Sequence, residues 1–85
     1  MKVLYDKNFR KRSAKLPIKL QDQIGKRIDI FISNQFDPTL NNHPLHGEYE
    51  NYRSINITGD YRAIYFTKGG VAIFIRIGTH SELFG

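Results

Sequence analysis

The sequence contains no cysteine, so neither a disulfide bond nor a cysteine-ligated zinc site can stabilise this chain. No apolar run approaches the roughly 18 residues that a membrane-spanning helix needs, and no signal peptide opens the sequence. Repeats, low-complexity tracts and linker-like stretches are absent as well. We therefore expect a single domain over residues 1–85, no membrane partner and a cytoplasmic location.

Acidic residues are few: 8 aspartates and glutamates stand against 13 lysines and arginines, which gives a net charge of +5. Such a surplus favours an anionic partner such as nucleic acid, although surface charge often serves solubility alone. The segment Lys7–Lys15 is strongly basic. It is either a solvated helix face or a ridge that contacts phosphates or the ribosome, and the sequence does not decide between the two.

Two helices are predicted in the first half of the chain. After a short β-prone segment, Lys2–Tyr5, Asp6 can cap a helix over Lys7–Lys15. Pro17 suits the first turn of a second helix that runs to about Gln35. The buried stripe of the second helix is expected to consist of Leu20, Ile24, Ile28, Phe31 and Ile32, with Ile30 outside it.

Three strands are predicted in the last third of the chain, over Tyr52–Thr58, Asp60–Thr67 and Val71–Ile77. Glycine-containing turns separate them, which favours two consecutive antiparallel hairpins. One face of such a meander is apolar and needs a helical cover, which the first half of the chain can provide. The predicted fold class is therefore α+β, with two N-terminal helices packed on a small antiparallel sheet.

Strand direction brings several polar residues to one rim of this sheet, because the first strand ends, the second begins and the third ends there. Residues expected at the rim are Asn56, Asp60, Tyr61, Arg76 and those that follow the last strand. Period-two alternation places Val71, Ile73, Ile75 and Ile77 on the core face and Arg76 on the opposite face. On the first strand, Ile55 and Ile57 share a face with Arg53, and Asn56 points away.

The residue types at this rim suit the cleavage of RNA. That reaction needs a base for the 2′-hydroxyl, an acid for the leaving 5′-oxygen and positive charge on the phosphate. Histidine can take either proton-transfer role, arginine can bind phosphate, and tyrosine or phenylalanine can stack on bases. Metal-ligand types are also present, namely His43, His46, His80 and Asp60, but their spacing matches no metal motif, so we expect neither metal nor cofactor.

The second half of the chain resembles a known family of proteins. The residues that carry the resemblance are His43-Pro44-Leu45-His46-Gly47, Asp60-Tyr61-Arg62-Ala63-Ile64-Tyr65 and Arg76-Ile77-Gly78-Thr79-His80-Ser81-Glu82-Leu83-Phe84-Gly85. They are similar to the YafQ branch of the RelE/ParE toxin superfamily. The resemblance implies an α+β toxin of a type II toxin–antitoxin system, a ribosome-dependent mRNA endonuclease that a co-expressed antitoxin holds inactive. Its expected partners are thus the antitoxin, the ribosome and mRNA.

The resemblance also implies roles for individual residues. By position, His43, Asp60, Arg76 and His80 match catalytic residues: Asp60 as candidate general base, Arg76 as phosphate ligand and His80 as general acid. Expected substrate contacts are Arg53, Asn56, Tyr61 and Phe84. Asn56 stands where this branch carries another histidine, and Tyr61 where a tryptophan is usual. Asparagine can hydrogen-bond a ribose or phosphate but cannot titrate.

Two other functions remain open at this stage. A ParE-like relative uses the same fold to inhibit DNA gyrase without cleaving RNA. Alternatively, a catalytically weakened homologue acts only as the binding partner of its antitoxin. The combination of His80 with Arg76 argues against the gyrase inhibitor, since that function needs no acid beside a phosphate-binding arginine.

Overall fold

The computed structural model describes residues 1–85 as three helices and a five-stranded sheet. The strands are β1 (Lys2–Tyr5), β2 (His43–Pro44), β3 (Arg53–Asn56), β4 (Tyr61–Lys68) and β5 (Val71–Thr79), and the helices are α1 (Lys7–Ala14), α2 (Ile18–Ser33) and α3 (His80–Phe84). Two 3₁₀ turns, Pro38–Leu40 and Gly47–Tyr49, lie in the long connection between α2 and β3. No helix is long and apolar enough to cross a membrane.

The strand order is β1-β5-β4-β3-β2. The α+β class is confirmed, and so is the antiparallel meander of β3, β4 and β5. The prediction of an antiparallel sheet is wrong for β1, which pairs with β5 in parallel, so the sheet is mixed. A parallel pair needs a long crossover, and here helices α1 and α2 together with β2–β4 supply it.

The first half of the chain covers one sheet face, which we call the helix face. At its centre the Phe31 ring of α2 lies 4.9 Å from the Tyr65 ring and 5.3 Å from the Phe74 ring, both nearly edge-on. Phe9 of α1 reaches the same cluster, 5.9 Å from Phe74. The predicted cap of α1 is confirmed, because the Asp6 carboxylate accepts the Phe9 backbone N–H at 2.8 Å.

The buried stripe of α2 differs from the prediction at its C-terminal end. Ile24, Ile28 and Phe31 are buried as predicted, but Ile32 is 43% exposed, whereas Ile30 packs against the core. The helix starts at Ile18, with Pro17 as its N-cap residue, and ends at Ser33.

A β-bulge on β5 overturns the predicted alternation of that strand. Ile64 pairs with Arg76 but Tyr65 pairs with Phe74, which leaves Ile75 as the extra residue. The bulge changes which residues face the core, because one added residue reverses the alternation of everything after it. The residues of β5 that join the core are Ala72, Phe74 and Ile77, whereas Val71, Ile73 and Ile75 do not.

The opposite face of the sheet, the cleft face, carries the polar residues. Cross-strand pairing aligns His43 with Ser54, Ser54 with Ile64 and Ile64 with Arg76 in one row. In the next row Asn56 pairs with Arg62, and Arg62 with Gly78. Asn56 and Arg76 therefore share a face, as the alternation of their strands predicted.

Helix α3 folds back over this cleft face. A Cβ atom on Gly78 would lie 3.2 Å from Glu82 Oε1 and 3.4 Å from Leu83 Cδ2, so glycine permits the close approach of the helix to the sheet. Leu83 is buried at this contact. The sheet is therefore covered on both faces, by α1 and α2 on one and by α3 on part of the other.

Phe31 and Ile32 offer a direct test of which face of α2 is buried. We expect Phe31→Ala to lower the free energy of unfolding by about 3–5 kcal/mol, because it removes a fully buried ring and leaves a cavity. Ile32→Ala, one residue along, should cost less than about 1 kcal/mol because much of its side chain is already in water. Urea unfolding of both variants measures the difference, and equal losses would contradict this packing.

Candidate active site

The rim predicted from strand direction exists. The Ile57 backbone N–H donates to the Tyr61 carbonyl at 2.9 Å, and Tyr61 pairs with Thr79 across β4 and β5. The His80 backbone N–H donates to the Asp60 carbonyl at 3.2 Å. The end of β3, the start of β4 and the end of β5 therefore meet, and α3 begins at this junction.

Beside this rim lies a cleft of about 330 Å³. It is lined by Asn41, His43, Leu45, Ser54, Arg62, His80 and Phe84. Both histidines of the predicted site line this cleft, although they are 37 positions apart in the sequence (80 − 43). An arginine and an aromatic ring stand beside them, so the cleft combines proton-transfer groups with positive charge and a stacking surface.

The backbone of the preceding loop orients His43. Its Nδ1 lies 2.8 Å from the carbonyl oxygen of Asn41, a residue with a left-handed φ of 46° that asparagine tolerates. A carbonyl can only accept, so Nδ1 carries a hydrogen and the neutral ring keeps its lone pair on Nε2. His43 is thus prepared to act as a base through Nε2.

Asn42 holds this loop in place. Its amide Nδ2 donates to the Tyr65 hydroxyl at 2.7 Å and to the Gln35 carbonyl at 2.9 Å, and its Oδ1 accepts from Arg53 Nε at 2.8 Å. Since Asn42 lies between Asn41 and His43, these bonds limit the movement of both. A buried tyrosine of the core is therefore linked directly to the loop that presents the cleft histidine.

His80 is the first residue of α3, whose N-terminus carries a capping box. The Thr79 hydroxyl accepts the Glu82 backbone N–H at 3.2 Å, and Glu82 Oε1 accepts the Thr79 backbone N–H at 2.8 Å. This Thr79 N–H, with a smaller effect of the Arg12 guanidinium, lowers the pKa of the Glu82 carboxyl. The Glu82 carboxylate therefore stays charged at neutral pH. Its negative charge, and the stabilisation that the charge gives the cap, are lost only when the pH falls through the lowered pKa.

Arg62 is a residue of the cleft that the sequence analysis did not single out. Its Nη1 donates to three backbone carbonyls, those of Thr58, Gly59 and Tyr61, at 3.0–3.2 Å. Nε and Nη2 make no hydrogen bond, and no carboxylate pairs with this guanidinium. The alternation of β4 contains the signal for Arg62. Its neighbour Ala63 is a core residue, so Arg62 faces the opposite side of the sheet, together with Asn56.

Two polar oxygens near the cleft floor lack partners. Ser54 is fully buried, and both its Oγ and the Oδ1 of Asn56 are inaccessible and unbonded. Ser54 and Asn56 alternate along β3 and face the cleft side of the sheet. Ser54 pairs across the strands with His43, and Asn56 pairs with Arg62. Both oxygens are closed off from solvent, and of the two residues only Ser54 lines the cleft.

Arg76 lies outside the cleft lining. It is exposed, its Nη1 donates to the Tyr49 hydroxyl at 3.1 Å, and it has no acidic partner. Tyr49 in turn lies 5.9 Å from Phe84, whose ring is 5.1 Å from that of His80. A series of contacts through the rings of Tyr49 and Phe84 therefore links Arg76 to the cleft.

An aromatic strip extends from Phe84 along the cleft face. From Tyr49, ring neighbours continue to Tyr52 at 6.1 Å and from Tyr52 to Phe66 at 5.5 Å. Of these four rings only Phe84, which is 37% exposed, is a predicted substrate contact. Tyr52 and Phe66 could have been found from alternation, whereas Tyr49 lies in a 3₁₀ turn that no periodicity marks.

Four other predicted site residues do not line the cleft, namely Asn56, Tyr61, Arg53 and Asp60. Tyr61 packs against the core of the helix face. Arg53 also faces that side, bonded to Asn42 and stacked 5.4 Å from the Phe36 ring, so the structure gives it a role in holding the loop. Asp60 touches His80 through its backbone carbonyl, while its exposed carboxylate makes no hydrogen bond.

No group of three histidine, aspartate or glutamate side chains lies close enough to hold a metal ion. His43 and His80 share the cleft, but the residues beside them are not carboxylates. The donor set of the cleft suits acid–base chemistry on an anionic substrate better than metal coordination.

The family model of YafQ, described as a bacterial toxin of a type II toxin–antitoxin system, matches residues 1–85. The chain belongs to the YafQ family. This family is one of mRNA interferase toxins. No curated protein matches the sequence of this family member.

Solved structures of YafQ and RelE toxins share the fold. YafQ from E. coli strain BL21(DE3) superimposes with a TM-score of 0.80 at 26% identity, over 98% of this chain and 97% of that one. The toxin in the E. coli DinJ-YafQ complex gives 0.76 at 27% identity, over 98% and 97%. A chain of the RelB-RelE antitoxin–toxin complex from Methanococcus jannaschii gives 0.75 at 26%, over 95% and 94%.

The tautomer of His43 can be measured. We expect its neutral ring to carry the proton on Nδ1, because the Asn41 carbonyl accepts it. Long-range ¹⁵N–¹H NMR correlations at alkaline pH distinguish the two tautomers. His46, an exposed histidine with no side-chain hydrogen bond, serves as the internal control. A proton on Nε2 of His43 would remove the structural reason for assigning it as the base.

Proposed function

We propose that this YafQ family member is a ribosome-dependent endoribonuclease that cleaves mRNA by attack of a ribose 2′-hydroxyl on the adjacent phosphate. The oxygen–phosphorus bond to the 5′-oxygen breaks as the new one forms, leaving a 2′,3′-cyclic phosphate and a 5′-hydroxyl. The observation that carries the proposal is the lining of a single cleft by His43, His80 and Arg62.

His43 and His80 take the two proton transfers. His43 Nε2 removes the 2′-hydroxyl proton, since its Nδ1 is held by the Asn41 carbonyl. His80 protonates the leaving 5′-oxygen from the other wall of the cleft, where the capping box and the bond to the Asp60 carbonyl fix the start of α3. In this scheme Asp60 supports the acid through its backbone, and its carboxylate is not needed as the base.

The two arginines serve different phosphates. Arg62 faces the cleft with Nε and Nη2 unbonded, so it stabilises the charge that develops on the phosphate under attack. Arg76 is anchored on the Tyr49 hydroxyl outside the cleft, and we assign it to an RNA phosphate beside the one that is cleaved. Asn56, on the same face, orients a ribose hydroxyl rather than transferring a proton.

Aromatic rings and positive charge explain how RNA is held. Phe84, Tyr49 and Tyr52 offer successive ring faces on which unstacked bases can pack. The net charge of +5 supplies the attraction to phosphate, which suits mRNA on the ribosome. An antitoxin partner is proposed as well, since the related E. coli YafQ and the M. jannaschii RelE have been solved as complexes with DinJ and RelB.

The central test replaces His80 with glutamine. The glutamine side chain is polar and similar in size to histidine, but it cannot deliver a proton. We expect His80→Gln to lower single-turnover cleavage on programmed ribosomes by about 10²–10⁴-fold, the usual contribution of a general acid, with ribosome binding unchanged. Cleavage at the wild-type rate would remove His80 from the mechanism. Wild-type protein that blocks DNA supercoiling and cleaves no RNA would instead identify a gyrase inhibitor.

Arg62 and Arg27 form a matched pair for testing the cation. Both guanidinium groups donate to backbone carbonyls, but Arg27 lies on α2 and bonds Thr39. We expect Arg62→Gln to lower the single-turnover rate by about 10²–10³-fold, as the loss of a preorganised charge at the phosphate does. Arg27→Gln removes the same charge away from the cleft and should leave the rate within about two-fold. Equal rates would exclude Arg62 from the reaction.

A further inference from the structure

Helix α3 is too short to be stable alone. It has five residues, far below the roughly 12–15 that an isolated helix needs. It nevertheless carries both His80 and Phe84, which line the cleft. The rest of the protein must therefore hold it, and the contacts that do so determine where the proposed acid lies.

Few groups outside α3 contact it through hydrogen bonds. Its first backbone N–H, that of His80, is bonded to the Asp60 carbonyl. The one side chain from another element that bonds α3 is Arg12 of α1, whose Nη2 lies 2.6 Å from Glu82 Oε2. This contact is also the one salt bridge of the protein, and it joins residues 70 positions apart.

The Glu82 carboxylate connects two separate contacts. Its Oε1 accepts the Thr79 backbone N–H in the capping box, and its Oε2 accepts from Arg12. The carboxylate packs closely against the backbone of Gly78, where a Cβ atom would lie only 3.2 Å from Oε1. The side chain that caps the first turn of α3 is thus held between the sheet and helix α1.

Helix α1 can reach α3 because β1 is shorter than β5. β1 ends at Tyr5, opposite Phe74, and the rest of β5 has no strand neighbour on that side. α1 occupies this place and bounds a cavity of about 440 Å³ between itself, β5 and α3. Phe9 of α1 inserts into the core while Arg12 of the same helix turns to Glu82.

We propose that Arg12 is a positioning residue of the active site, which through Glu82 fixes α3 and thereby the His80 and Phe84 side chains. The assignment rests on the proposed ribonuclease function. The ion pair is well exposed, with 41% and 47% of the two side chains accessible, and such pairs contribute little to global stability. Its loss should therefore leave the protein folded, and its effect should be confined to α3, because no other side chain from another element bonds that helix.

The test compares Arg12→Ala, Arg12→Lys and Glu82→Gln with the double variant Arg12→Ala/Glu82→Gln. Glu82→Gln keeps a capping oxygen for Thr79 but loses the charge opposite Arg12. Lys19→Ala is the control, since it removes one exposed positive charge from α2 and no hydrogen bond. Single-turnover cleavage at saturating ribosome, ribosome affinity, urea midpoint and amide exchange of residues 80–84 are measured for each variant.

Arg12→Ala and Glu82→Gln should each lower the cleavage rate by about 10–100-fold, the scale of a misplacement near 1 Å, and speed amide exchange in α3. The double variant should be no slower than the worse single one, because both remove the same contact. Arg12→Lys should recover most of the rate, and Lys19→Ala should match wild type. Ribosome affinity and urea midpoint should change little.

Three results would overturn the proposal. A rate for Arg12→Ala equal to that of Lys19→Ala would show that the contact does not position the acid. A loss confined to ribosome affinity would make Arg12 a phosphate contact, and multiplied effects in the double variant would show that the two residues act separately. Amide exchange in α3 is measured without RNA. If wild-type protein cleaves no RNA while exchange still responds to Arg12→Ala, the proposed function fails and the contact stands.

Discussion

The bulge at Ile75 is the constraint on which both faces of the sheet depend. Without an extra residue, the face that receives Phe74 would also receive Arg76, and an arginine would enter the core opposite Ala63. With it, Phe74 and Ile77 both reach the helix face, while Arg76 and Gly78 turn to the other. Burying an unpaired guanidinium costs several kcal/mol, which is of the order of the whole stability of a small domain. Which residues of β5 face the core therefore decides whether the fold forms.

Backbone groups orient the polar residues of the cleft. A carbonyl holds His43, three carbonyls hold Arg62, and the backbone N–H of His80 is bound to another carbonyl. Such contacts do not depend on the identity of the residue that supplies the carbonyl. The residues that supply these carbonyls can therefore change without moving the groups that they hold. Arg12 and Glu82 differ in this respect, because their contact depends on both side chains.

Local signals predicted most of the fold and part of the site. The cap at Asp6, the helical stripe and the glycine turns placed the elements within a few residues, and strand direction placed the rim. The predicted alternation of β5 is wrong because a bulge depends on how two strands pair, and the sequence pattern of a single strand carries no information about that pairing. Arg53 and Tyr61, which the resemblance predicts as substrate contacts, lie on the opposite face of the sheet and make loop and core contacts there. Tyr49 was missed because its turn has no period.

The parallel pairing of β1 with β5 also has a consequence for the order of folding. Lys2 pairs with Val71, so the two strands are 69 positions apart (71 − 2), and closing so long a loop makes this a late and slow step. During synthesis β1 has no partner until residues 71–74 have been made, and His80 follows only six positions after Phe74. The strand that lets the sheet close and the helix that completes the cleft therefore become available almost together. The cleft of the proposed enzyme therefore cannot form before both β5 and α3 have been made.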